Sequence, residues 1–379
     1  MTRTATRLLL ALSLLGTVAL AQSGPASARL AGPLEGAELT LLQTFEYTGG
    51  TDLAFRGKYV YAGVLGGAGG VVILEIVGGV PKKVGFIPCP GSQNDVAVVK
   101  PGLLALGFHG GGCAGLMYGG IRLIDVKDPA HPRMLGTVQI PGGTHTLTAY
   151  PGEPIIYSNA GGLGGPETII DVSNPKAPEV VGEYVTNPAG CHDVTFHKTA
   201  SGGILGFCPG LGGTEIWDAS NPLSPDLLSF IPGHMNFPHQ AVVSPDGGLL
   251  LVTDEAFVAH ECVSGHGPLG AIWAYDITVP QAPVPMGQIS SPRGSSPAAA
   301  IVTAWCTAHN LNFIPDTRLA VVAWYTGGTR VIDFSNPRLP TEVAYFAPPD
   351  GDVWSSYYFK GLIYANDLNR GLDVLKLES

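Results

Sequence analysis

The sequence predicts an all-β chain built from seven repeats of one four-stranded unit. Three observations carry that prediction. The first is composition: 53 Gly and 32 Pro stand among 379 residues, and only 13% of the chain is charged. Gly and Pro are the residues that turns require. The low charge excludes a disordered chain, and the Gly and Pro content excludes a coiled coil or helical bundle. No strict Gly period exists, so a collagen is excluded as well.

The second observation is a recurring phrase: apolar residues, an acid, an apolar residue, then a turn with Pro. It reads Leu123-Ile124-Asp125-Val126-Lys127-Asp128-Pro129, then Ile169-Ile170-Asp171-Val172-Ser173-Asn174-Pro175. It returns as Ile216-Trp217-Asp218-Ala219-Ser220-Asn221-Pro222, Ala274-Tyr275-Asp276-Ile277 and Val331-Ile332-Asp333-Phe334-Ser335-Asn336-Pro337. Looser copies surround Glu75 and Asp373. The third observation is spacing. The seven acids lie 50, 46, 47, 58, 57 and 40 residues apart. A period of about 40–50 residues with alternating apolar strands is that of a β-propeller. Asp and Asn side chains bond nearby backbone N–H groups in turns, so these acids read as structural.

From the N-terminus, Arg3 and Arg7 precede an apolar run from Leu8 to Leu20, and Ala19-Leu20-Ala21 is a small-x-small cleavage site. Residues 1–21 therefore read as a secretory signal peptide. Ala26-Ser27-Ala28 offers a second site. Residues 22–37 read as a Gly/Ala/Pro-rich linker, and 38–379 as a single propeller domain. Secretion, or residence in the periplasm or cell envelope, follows. Removing two Arg leaves 18 basic against 30 acidic residues. That balance argues against nucleic acid and anionic membranes as partners. No second run reaches membrane-spanning length.

The last unit supplies only three strands, Tyr357–Phe359, Leu362–Asn366 and Gly371–Leu377. Thr40–Tyr47 has strand character and can complete that unit, closing the ring without an open edge. In the fourth unit the four strands fall at His192–Phe196, Gly203–Phe207, Thr214–Asp218 and Asp226–Phe230. On the Ile-Ile-Asp-Val-Ser-Asn-Pro phrases, the chain resembles the LVIVD-repeat family of exported seven-bladed propellers over roughly residues 40–377. The resemblance implies the fold and little chemistry, because a fold alone does not give function.

The starts of the innermost strands align as Thr51-Asp52, Asn94-Asp95, His145-Thr146, His192-Asp193, His239-Gln240, His309-Asn310 and Trp354-Ser355. Four consecutive units thus place His at one mouth of the central channel. His145, His192, His239 and His309 could ligate a divalent transition metal such as Fe, Cu or Zn, since neutral imidazole suits all three. Each could instead cap its strand on a neighbouring blade, or contact an organic or peptide ligand. Carotenoid-cleaving oxygenases are similar in one respect, a propeller holding iron by four axial His. Here, however, Thr51, Asn94 and Trp354 complete the ring.

Loops into the first strand and between the second and third share one face of a propeller. That placement predicts the disulfides Cys89–Cys113, Cys191–Cys208 and Cys262–Cys306, consistent with an oxidising compartment. The fifth unit is the longest, and its insertion carries Asp254, Glu255, His260, Glu261 and His266. His260, Glu261 and His266 could fold over the mouth. No P-loop or nucleophile elbow is present. The sequence reads best as a monomeric module binding a protein or small molecule through its His-bearing face. The alternative is a metal-dependent, oxidoreductase-like enzyme with the four His as ligands.

Overall fold

The computed structural model describes residues 38–110, 112–113, 115–116, 119–159, 166–184, 190–233, 235–256, 270–290 and 305–378. The expected leader, the linker and the residues His260, Glu261, Cys262 and His266 lie outside them. Among the described residues, seven four-stranded antiparallel sheets follow one another as the blades of a propeller. Blades 1 to 6 span residues 50–88, 93–139, 146–184, 195–232, 238–289 and 311–346. Within each, the strands run from the channel outwards in chain order.

Blade 7 spans 353–378 and takes its outermost strand from the N-terminal side. Glu38–Glu46 pairs antiparallel with Gly371–Glu378. The closing strand thus starts two residues earlier than the sequence suggests. Tyr47 Oη donates to Asn366 Oδ1 at 2.5 Å just beyond it. The inner strand of blade 4 is likewise shifted, to Thr195–Lys198. His192 still enters the pairing pattern, because its N–H donates to the Pro209 carbonyl across the blade at 2.7 Å.

The repeated phrase does the same local work in blades 2 to 6. The acid's Oδ1 accepts the backbone N–H two residues on: Lys127 at 3.0 Å, Ser173 at 2.7 Å, Ser220 at 3.0 Å, Thr278 at 2.9 Å and Ser335 at 2.7 Å. Just before the acid, the third and fourth strands slip register by one residue in blades 1 to 6. Such bulges increase local twist.

The outer strand carries a small residue opposite this slip, and the next blade's Pro turn docks on it. A Cβ on Gly136 would lie 2.6 Å from the Pro175 carbonyl oxygen, and one on Gly287 would lie 2.6 Å from that of Pro337. Gly85 stands in the same relation to Pro129. Blade 4 has Ser229 there, and its hydroxyl donates to the Pro280 carbonyl at 2.6 Å.

Apolar clusters fill the seven blade junctions. Trp324 and Phe334 centre the one between blades 5 and 6, and Trp217 and Tyr157 the one between blades 3 and 4. Burial on both sheet faces leaves little surface to charge, which accounts for the composition. Cys89–Cys113 and Cys191–Cys208 are disulfide-bonded, with Cα atoms 4.6 and 5.2 Å apart. Cys306 is also in a disulfide. No helix among the described residues is long and apolar enough to cross a membrane.

Candidate metal centre in the channel

The strand-start His residues form a continuous row of rings. Centroids are 4.9 Å apart for His145–His192, 4.2 Å for His192–His239 and 3.9 Å for His239–His309. Trp354 ends the row, 5.0 Å from His309. His109, at the end of the second strand of blade 2, extends it at the other side, 6.1 Å from His145. The row is held by the backbone. The N–H groups of His145 and His309 bond the second strands of their own blades, at Asn159 O (2.8 Å) and Ala323 O (2.9 Å).

His192, His239 and His309 are buried, whereas His145 is half-buried. His192, His239 and His309 line one small cavity, shielded from solvent. Burial pulls all four imidazoles below their ordinary range, His145 to about 4 and His309 to about 3. Burial also lowers His192 and His239, and neighbouring imidazoles add to the effect. The neutral ring is the form that ligates a metal.

Glu255, just after the second strand of blade 5, meets this row. Ligand atoms of His192, His239 and Glu255 all lie within 4.8 Å of one another. Nε2 of His239 is 3.7 Å from Glu255 Oε2, and Nε2 of His309 is 3.6 Å from Oε1. His145 stands one ring further round, outside the group of three. His309 abuts Glu255 without joining that group.

The donor chemistry fits a metal ion. Nδ1 of His309 lies 2.5 Å from the Trp354 carbonyl, so that nitrogen carries the proton and Nε2 keeps its lone pair. Nδ1 of His239 and of His192 are buried with no hydrogen-bond partner. A lone pair facing a carboxylate at 3.6 Å is too far for a hydrogen bond and repulsive unless a proton or cation intervenes. Burial pushes the Glu255 carboxyl up to about 8, with the neighbouring Asp254 charge adding and the Tyr325 hydrogen bond opposing.

Tyr325 completes the surroundings. Its hydroxyl donates to Glu255 Oε1 at 2.6 Å, and its ring lies 4.7 Å from His309 and 5.6 Å from Trp305. Its φ of 43° is in the left-handed region, which a bulky residue occupies only when its surroundings hold it there. Two backbone hydrogen bonds with Val353, 3.1 and 3.0 Å, do so.

The other strand-start residues act differently. Thr51 Oγ1 donates to the Asn94 carbonyl at 2.8 Å, and Asn94 Nδ2 donates to the Val64 and Cys89 carbonyls at 2.5 and 3.0 Å. Both are fully buried and tie blade 1 to blade 2. Trp354 instead lines a cavity of about 20 Å³ beside His192, His239 and His309.

This is the geometry of a β-propeller with a buried His/Glu cluster on its axis. The profile of the LVIVD repeat matches residues 167–186. No curated protein matches the sequence. Among solved structures, the β-propeller domain of Cps50 (Swd1) from Myceliophteria thermophila superposes with a TM-score of 0.63 at 12% identity. That match covers 90% of this chain and 100% of the other. A functionally unknown protein from Desulfotomaculum acetoxidans gives a TM-score of 0.57 at 14% identity, covering 78% of this chain and 85% of that one. At such identities the likeness is one of fold.

Proposed function

We propose that this chain is an exported metal-binding propeller that holds one transition-metal ion at His192, His239 and Glu255, with His309 beside them. The observation that carries this reading is the convergence of His192, His239 and Glu255, whose ligand atoms lie within 4.8 Å of one another, with Nε2 of His309 facing the same carboxylate. Two His and one carboxylate is a donor set that zinc and iron centres use. The cavity next to the imidazoles has space for about one water-sized molecule. That favours a very small ligand at the metal and disfavours a peptide docked directly on the rings. Larger partners would meet the loops and rim of the propeller, in keeping with a repeat fold that offers extended binding surfaces.

Elemental analysis of the exported protein, purified without a His-tag, tests the reading. We expect about one Zn, Fe or Cu per chain after dialysis, falling to background in His239→Ala and Glu255→Ala. No retained metal after reconstitution would overturn it.

A further inference from the structure

A second hollow opens on the opposite face of the ring, away from the imidazoles. The inner strand of blade 1 runs from Gly50 at the His-bearing face to Arg56, so its turn at Gly57 and Lys58 lies on the other face. The equivalent turn of blade 7, Lys360 and Gly361, follows Val353–Phe359 and lies beside it. Lys360 Nζ joins the two turns by donating to the Gly57 carbonyl at 2.8 Å. They border a hollow of about 350 Å³ at the junction of blades 7 and 1. That is within the usual size of a small-molecule pocket.

The walls of this hollow are carbon and its rim is positive. Val60, Ile76, Phe359 and Leu362 line it. The Phe359 ring stacks on Phe55 with centroids 4.8 Å apart, and Phe55 meets the Tyr364 ring at 5.4 Å. Lys58 and Lys360 are exposed at the rim, the first paired with Glu75. An ammonium has three donors, so each Lys keeps donors to spare. Among the described residues, no Asp or Glu lines the hollow. Two cations thus flank an apolar recess in a chain whose formal net charge is −10.

Tyr364 points independently to a ligand. It is 3% exposed and lines the hollow, yet its hydroxyl bonds no described residue. Comparable buried hydroxyls are satisfied: Tyr150 donates to the Ala219 carbonyl at 2.7 Å, and Tyr157 to that of Pro222 at 2.6 Å. A water molecule at Tyr364 would find few other partners, because the neighbouring side chains Val60, Ile76 and Leu362 are carbon.

We propose that this hollow binds a small aromatic carboxylate with a hydroxyl at the far end of its ring. The carboxylate meets Lys58 and Lys360 at the rim, the ring lies against Phe359 and Leu362, and the ring hydroxyl bonds Tyr364. Each part of the ligand answers one observation. Positive charge at the rim selects an anion, and charge-assisted bonds are the stronger kind. Carbon walls with an aromatic ring select a flat apolar body. The lone hydroxyl selects a polar atom at the buried end. The site stands apart from the His/Glu centre and does not depend on it.

Fluorine NMR with a ring-fluorinated para-hydroxycinnamate tests it, on chelator-stripped protein so that no metal can hold the carboxylate. The probe signal should shift saturably, with a single site per chain. The corresponding amide, which lacks the charge, should bind about fivefold more weakly, the upper end for an exposed ion pair. Lys360→Gln should weaken binding of the acid about threefold and leave the amide unchanged. Tyr364→Phe keeps the ring packing and should weaken both about fivefold, the size of one neutral hydrogen bond. His239→Ala should change nothing. Absence of a saturable shift with folded wild type overturns the proposal. Equal affinity of wild type for acid and amide overturns it, as does undiminished affinity in Tyr364→Phe. Loss of binding in His239→Ala would move the probe to the channel and overturn it too, while leaving the metal reading intact.

Discussion

At the scale of single residues, Tyr325 and Glu167 show what the fold imposes on chemistry. Tyr325 holds one oxygen of Glu255 from a left-handed backbone conformation, so its hydroxyl orients the carboxylate proposed as a metal ligand. Partners of this kind typically affect metal affinity by 10–100-fold. Tyr325→Phe keeps the ring packing and removes only the hydrogen bond. We expect a loss of about tenfold or more in Zn²⁺ affinity, read by competition with a chromophoric chelator; unchanged affinity would remove Tyr325 from the site. Glu167 is almost fully buried and bonded by Asn159 Nδ2 at 3.1 Å. Burial raises its carboxyl from 4.5 to about 8. The folded chain therefore keeps a proton that the unfolded chain releases. Stability from this group is present at low pH and is lost as pH rises towards about 8. Between about pH 5 and pH 8 the melting temperature of metal-free protein carries a falling contribution from Glu167, set against the rising one from the buried imidazoles. Glu167→Gln should remove the falling contribution, and identical slopes would refute the assignment.

At the scale of the element, the repeated phrase couples two jobs that were only half visible in the sequence. The Asp turn is local, with a bond from Asp171 to the Ser173 N–H, and residue types alone announce it. The seat for the Pro turn lies on the preceding blade's outer strand, so nothing near Gly136 in the chain indicates that Pro175 will press on it. Any side chain there must push the blades apart. Gly136→Val should lower stability by about 1–3 kcal/mol, the usual range for overpacking. Chemical denaturation would measure it, and a loss below about 0.5 kcal/mol, within the range of a neutral surface change, would contradict the wedge. The same distinction explains the site. His145, His192, His239 and His309 occupy one repeat position, so alignment of strand starts brings them together. Glu255 comes from the end of a second strand and Tyr325 from a turn between the second and third, so neither shares the repeat position. The acids Asp52, Asp95 and Asp193 occupy the next aligned position, after Thr51, Asn94 and His192.

At the scale of the molecule, closing the ring is what makes the axis chemical. Seven blades bring strand starts from residues 51 to 354 into one channel, and Glu38–Glu46 locks the last blade to the first. The apolar junctions bury the imidazoles, and burial keeps them neutral. Without closure the same residues would be solvated and protonatable at mildly acid pH. The proposed function rests on a transition-metal ion held by His192, His239 and Glu255. Crystals soaked in Zn²⁺ and measured on both sides of its absorption edge test it most directly. An anomalous peak is expected about 2.0–2.2 Å from a nitrogen of His192, a nitrogen of His239 and an oxygen of Glu255. A channel with no such peak at saturating metal would contradict it.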